Sequence, residues 1–344
     1  MGTALWVEPE LGVVSGGLRY NAQVRGQLEA AGWFCPVLRR PVEFFTHDDG
    51  ASAYDTARHR HQPDLVIVDG LIGAQHPQLF SRAGAGQTVH LVHMPAAAAS
   101  EGLAGMDAET VDETAQRERA ALLRADHVVT VSRWCAKELQ DRYGRDDVLI
   151  AVPGVTVSGT EPRSHFTETA GQARLACVAA FQPVKNHHLL AEALRPLHHL
   201  QYRLLLAGPG AQTQYGAEVL ARLRDQLGER LQFRGELAPQ EVSRLWAETD
   251  LLLVPSLVEA YGMVVTEACA AGVPALVAAG TGAQEAAGAA GVALDPRRPA
   301  EWTQAIERFL TDPTQRAHLI EAARRRRPHL PSWAETAEVF ASLA

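Results

Sequence analysis

Two glutamates eight positions apart, Glu259 and Glu267, flank Gly262 in PSLVEAYGMVVTEACAAGVPALV, a stretch that begins at Pro255. A helix is expected from about Gly262 to Ala271, because Gly272 suits the position just past a helix end and Pro274 cannot continue one. The first N–H groups of such a helix are unpaired and carry the positive end of its dipole, so they attract an anion. A diphosphate there would meet the amides of Met263 and Val264. It would have a carboxylate towards either end, Glu259 before the helix and Glu267 roughly 7.5 Å along it, each able to accept hydrogen bonds from hydroxyl groups. Taken singly, Glu259 also fits a carboxylate that complements the dipole, and Glu267 a solvated face opposite Val264, Val265 and Ala268.

The chain has two lysines, Lys137 and Lys185, among 32 Lys and Arg residues. Lys185 stands between a strand and a helix in VAAFQPVKNHHLL, where an ammonium group can neutralise a phosphate. Ser15, Gly16 and Gly17 occupy another strand-to-helix turn. Their N–H groups can cradle a phosphate, or the glycines simply permit a tight turn. His93 falls at a strand end, a place open to both a structural and a functional histidine.

Short Val/Leu/Ile-rich runs alternate with helical patterns through the whole chain. Strands are expected at Thr3 to Glu8, Asp64 to Asp69, Thr88 to Met94, His127 to Ser132 and Val148 to Pro153. A second series follows at Arg174 to Ala180, Tyr202 to Gly208, Leu231 to Gly235, Asp250 to Ser256, Pro274 to Ala279 and Gly291 to Asp295. This alternation predicts an α/β chain of two Rossmann-like, doubly wound domains facing a cleft, with ligands at the carboxyl ends of the strands. The boundaries expected are residues 1–160 for the first domain and 170–325 for the second. A C-terminal helical segment, 326–344, is expected to pack back on the first domain. The polar stretch Gly154 to Gly171 is the linker in this reading. A length of 344 residues suits two cores.

A net charge of −8 excludes general nucleic-acid binding. The four cysteines, Cys35, Cys135, Cys177 and Cys269, lack metal-ligand spacing and suit free thiols in a reducing compartment. With no signal-peptide or membrane-span pattern, a cytoplasmic location is expected. The run Arg324 to Arg327 reads as a solvated helix end in preference to a peripheral membrane contact.

The Pro255 stretch resembles the signature of family 4 retaining glycosyltransferases of the GT-B fold. SGGLRYN, HLVHMP, LRADHVVTVS, LLLAGPG and FRGELAP resemble further segments of that family. The resemblance implies that Glu267 binds the donor ribose and Glu259 a donor-sugar hydroxyl. It implies that Gly262, Met263 and Val264 meet the sugar and phosphates through their backbone, and that Lys185 stabilises the leaving diphosphate. Leu237 would then lie near the base, Gly17, beside Gly16, near the phosphates, and His93 at the reacting sugar. A nucleotide-diphosphate sugar is the implied donor, with no cofactor or metal. The acceptor, small-molecule or lipid-linked, is not spelled by the loops Phe44 to Tyr54 and Pro95 to Glu109. One position departs from the family: Ala180 stands where an arginine is common, with Arg19 or Arg133 as candidate replacements. That departure keeps open a noncatalytic GT-B subunit, and an epimerase or phosphorylase on the same fold is a further alternative.

Overall fold

The computed structural model describes residues 2–12, 15–101, 107–156 and 172–344. The chain divides into two compact units, Met1–Gly154 with Pro331–Ala344, and Val155–Leu330. Most of the segment read as a linker lies outside the described residues.

The first unit is built on β1 (Ala4–Pro9), β2 (Val37–Arg40), β3 (Leu65–Asp69), β4 (Gln87–Val92), β5 (His127–Thr130) and β6 (Leu149–Ile150), in the order β2-β1-β3-β4-β5-β6. All pairings are parallel. Strands β1 and β3 are buried along their whole length, as strands covered by helices on both faces must be. The sequence reading missed β2. Its residues, VLRR, lie at the sheet edge and are mostly exposed, so no apolar run marks them.

The second unit contains β7 (Ala173–Val178), β8 (Tyr202–Ala207), β9 (Leu231–Gly235), β10 (Leu251–Val254), β11 (Ala275–Ala278) and β12 (Gly291–Leu294). Their order is β12-β11-β10-β7-β8-β9, again all parallel. The chain winds outward from β7 to β9, then returns to the other side of β7 with β10. The connections leaving β7 and β10 therefore diverge and open a crevice at their carboxyl ends, the place where open α/β sheets bind ligands. In the first unit the same divergence falls between β1 and β3.

The stretch Pro95 to Glu109, expected as an irregular loop, is partly helical: Ala96–Glu101 forms a helix whose start is held by buried Glu118. The Glu118 carboxylate accepts from the N–H groups of Ala96 (2.6 Å) and Ala97 (3.2 Å). Residues 102–106 lie outside the described set. The last helix, Trp333–Ala341, begins in a capping box in which Ser332 and Glu335 bond each other's backbone N–H. It belongs to the first unit, with Phe340 against Trp6, Trp333 edge-on to Tyr20, and the Thr336 hydroxyl donating to the Val152 carbonyl at 2.6 Å. Among the described residues no helix is long and apolar enough to cross a membrane.

Among the described residues each unit buries a histidine whose two ring nitrogens have no hydrogen-bond partner, His90 on β4 and His187 after β7. Burial pushes the His90 pKa down to about 4, partly opposed by Asp69. Burial, followed by the charges of Lys185 and His188, takes His187 to about 4. Both rings are neutral when folded, whereas the unfolded chain protonates them below about pH 6.5. The stability they allow is therefore complete above pH 6.5 and lost as pH falls towards 4, on the order of 3 kcal/mol for each ring. Denaturation at pH 7.5 and pH 5 should show this loss. Replacing His187 by Phe should reduce it, and an equally steep pH dependence in that variant would contradict the assignment.

Candidate functional site

In the second unit the chain leaves β7 through a tight turn, Pro183–Lys185, and Asn186 then takes a left-handed conformation (φ 54°) before the helix His187–Leu194. The Asn186 side chain donates to the carbonyls of Pro255 (3.2 Å) and Pro296 (2.9 Å). The Leu257 N–H bonds the Val184 carbonyl at 2.8 Å. These bonds tie the segment after β7 to the segments after β10 and β12. They bring Lys185 and Glu259, far apart in sequence, into an ion pair with Nζ 2.7 Å from Oε2. The Ser256 hydroxyl donates to the same oxygen at 3.2 Å. The two side chains retain 22% and 15% exposure, so the pair is desolvated enough to be ordered and open enough to meet a ligand.

Gly262 ends the loop with φ 85°, a left-handed conformation that costs glycine little. It is the N-cap of the helix Met263–Ala270 and provides no side-chain cap. A Cβ at Gly262 would sit 3.3 Å from Val265 Cγ2 and 3.4 Å from the Glu259 side chain, so it is the left-handed backbone, more than crowding, that calls for glycine here. The helix closes as expected: Gly272 N–H bonds the Cys269 carbonyl and Val273 N–H the Ala268 carbonyl, each at 2.9 Å, with Gly272 at φ 77°. One detail differs from expectation. Val265, Ala268 and Cys269 form the buried face, and Val264 lies half-buried with Met263 and Glu267. Core contacts at i, i+3 and i+4 from Val265 rotate Val264 towards the side that carries Glu267.

The helix start is braced from behind. The Gly282 N–H donates to the Glu259 carbonyl at 2.7 Å, and a Cβ at Gly282 would lie 1.9 Å from the Ala260 carbonyl oxygen. Leu237 is half-buried in the segment that follows β9 at the sheet edge. Ala180 is half-buried five positions before Lys185 and contributes no charge there. Of the arginine run, Arg324 and Arg325 are exposed. Arg326 instead donates to the carbonyls of Ala286 (3.0 Å) and Glu285 (3.1 Å), fixing the end of the helix Gly282–Ala287.

In the first unit Ser15 caps the helix Gly16–Ala30, its hydroxyl accepting from the Leu18 N–H. His93 follows β4 directly, with its ring beside Gly17, where a Cβ would sit 3.0 Å from Cδ2. Two residues that the sequence reading passed over surround it. His93 Nε2 is 2.9 Å from Asn21 Oδ1 and 3.4 Å from Asp69 Oδ2, and Asn21 Nδ2 donates to Asp69 Oδ2 at 2.9 Å. Asp69 carried a signal, an acidic residue closing the apolar run DLVIVD. Asn21 carried none beyond its place in SGGLRYN. Arg19 lies in the helix Gly16–Ala30, and Arg133 opens the helix Arg133–Tyr143.

Residues 161–326 match the family described as glycosyl transferases group 1. The chain is 29% identical over 269 residues to a D-inositol 3-phosphate glycosyltransferase of Rhodococcus erythropolis, a match covering 73% of this chain and 60% of the relative. It thus spans less than two thirds of the length of the curated relatives it matches first. Sucrose-phosphate synthase from Thermosynechococcus elongatus superposes with a TM-score of 0.84 at 20% identity, over 98% of both chains. Anabaena HepE in complex with UDP and glucose superposes with a TM-score of 0.78 at 17% identity, over 99% of both. The fold is GT-B.

Because the Gly282 amide and the Ala260 carbonyl leave no room between them, Gly282→Ala should cost about 1–3 kcal/mol. A thermal melt compared with the parent chain tests this, and an unchanged midpoint would contradict the close approach.

Proposed function

We propose that this chain is a retaining, metal-independent glycosyltransferase that moves a sugar from a nucleotide-diphosphate sugar to a small-molecule or lipid-linked acceptor. The observation that carries this reading is the Lys185–Glu259 pair, 2.7 Å apart, beside a helix start capped only by Gly262 at the switch point of the second sheet. The match to group 1 glycosyl transferases over that same unit supports it.

The chemistry follows from the donors available. An ammonium group has three N–H bonds. One holds Glu259, and the other two can meet oxygens of the departing diphosphate as its charge grows, the moment at which electrostatic stabilisation accelerates a reaction. The amides of Met263 and Val264 hold the phosphates in the ground state. Glu259 accepts from a sugar hydroxyl and Glu267 from the ribose, while Leu237 lies at the base. In the transfer step the C1–O bond to the diphosphate breaks and a new C1–O bond to the acceptor oxygen forms on the same face. The acceptor proton passes to a phosphate oxygen of the leaving group. A negative diphosphate receiving that proton needs no carboxylate base, which distinguishes this site from the paired-carboxylate logic of glycoside hydrolysis.

Incubation with a panel of nucleotide sugars, beginning with UDP-glucose because the HepE neighbour is described with UDP and glucose, should release free nucleotide. Lys185→Ala should lower kcat by about 10²-fold or more with donor affinity largely kept. Glu267→Ala should weaken donor binding by about tenfold or more, as expected for lost hydrogen bonds to a charged group. A Glu267 variant with unchanged donor affinity overturns its role at the ribose. Treatment with a chelator should leave the rate unchanged, and loss of activity restored by Mg²⁺ or Mn²⁺ overturns metal independence. NMR of the product should show the donor's anomeric configuration. Ala180 favours one second reading, a nucleotide-binding subunit without turnover. Binding of a nucleotide sugar by calorimetry with no transfer to any acceptor would support that reading instead.

A further inference from the structure

Gly17, Tyr20 and Asn21 stand at i, i+3 and i+4 on the helix Gly16–Ala30, so they share one face. All three meet the His93 ring. Gly17 leaves room for its edge, Tyr20 packs T-shaped against it with centroids 5.1 Å apart, and Asn21 bonds Nε2. The Tyr20 hydroxyl donates to the Ala151 carbonyl at 2.8 Å, which fixes that ring in turn. Asn21 and Asp69 are 0% and 3% exposed, whereas the His93 side chain keeps 19%. A buried polar chain thus ends in a histidine that reaches the surface.

The direction of the hydrogen bonds along this chain is dictated by chemistry. An ionised carboxylate only accepts. Asp69 accepts from the Leu71 N–H at Oδ1 (3.0 Å) and from the Asn21 amide group at Oδ2 (2.9 Å). With its NH₂ committed to Asp69, Asn21 presents its carbonyl oxygen to His93, so Nε2 must carry the proton. Burial alone would raise the Asp69 pKa. Bonds from His93, Leu71 and Asn21, with the His93 charge, outweigh it and hold the carboxyl below its usual value, so the acceptor end of the chain stays ionised.

We propose that Asn21 and Asp69 are positioning residues that fix His93 with its proton on Nε2 and leave Nδ1 as the nitrogen offered to substrate. Neutral, the ring then accepts a hydrogen bond from a substrate hydroxyl at Nδ1. Any proton the ring gains or loses moves at that atom, because Nε2 remains protonated in both states. The inference rests on the transferase reading for what the ring meets, but the tautomer is a property of the ligand-free protein.

Ring-nitrogen chemical shifts of ¹⁵N-histidine-labelled protein, assigned to His93 by comparison with a His93→Gln sample, should show the Nε2–H form in the parent chain. In Asp69→Asn the terminal group can donate as well as accept, so the chain loses its fixed direction and the tautomers should mix. In the same variant kcat should fall on the order of 10²-fold, with donor KM within about twofold and the melting midpoint confirming a folded chain. Asn21→Leu, which deletes the connecting amide, should behave alike. The Nδ1–H form in the parent protein overturns the proposal, as does an unchanged kcat in a folded Asp69→Asn whose tautomer has shifted. Absence of sugar transfer by the parent protein is a separate result: it defeats the transferase reading while the ring shifts still report on the tautomer.

Discussion

A parallel strand cannot reach its neighbour through a tight turn. The chain must cross over, usually by a helix, and it returns to start the next strand at the same edge of the sheet. Both sheets here are entirely parallel, six strands each. Every strand in a unit therefore ends along one edge, and helices that leave in opposite directions from the central strands part at that edge. The burial of β1, β3 and β10 along their full lengths follows from this condition, since helices then cover both faces of the sheet.

Within the second unit the condition gathers residues from three crossovers. Lys185 comes from the one after β7, Glu259 from the one after β10, and the brace at Gly282 from the one after β11. Asn186 reconciles the first two. In its left-handed conformation its amide bonds the carbonyls of Pro255 and Pro296, which follow β10 and β12. The ion pair between Lys185 and Glu259 rests on that scaffold. Its members keep 22% and 15% of their side-chain exposure, so the pair is largely desolvated yet still within reach of a ligand. The first unit shows a comparable solution, where the buried Asn21 amide links the ionised strand-end carboxylate of Asp69 to the strand-end His93.

Much of this was legible in the chain. Apolar runs bounded by turn residues marked the strands buried on both faces, such as β1, β3 and β10, and among the described residues eleven of the twelve strands fall where one was expected. The capping chemistry of Gly262, Gly272 and Pro274 bounded the helix that carries Glu267, since those residues act locally. The edge strand Val37–Arg40 escaped notice because an exposed edge needs no apolar residue. The Ala96–Glu101 helix escaped because its start is held by Glu118, a partner 21 and 22 positions away that no local pattern discloses. Val264, on the core side only if Glu267 is read as a solvated face, is half-buried, because packing through Val265, Ala268 and Cys269 sets the core face.

What the sequence determined by itself was the architecture and the identity of the candidate groups, Lys185, Glu259, Glu267 and the Gly262 turn, because periodicity, glycine and proline act over a few residues. Only the tertiary structure decided which of those groups meet. That Glu259 holds Lys185 depends on the order in which β7 and β10 lie side by side. That Asn21 and Asp69 stand behind His93 depends on the helix after β1 passing the ends of β3 and β4. The physical reason is the same in both cases: a hydrogen bond or ion pair is decided within about 3 Å, and only the winding of the sheet brings residues so distant in the chain that close.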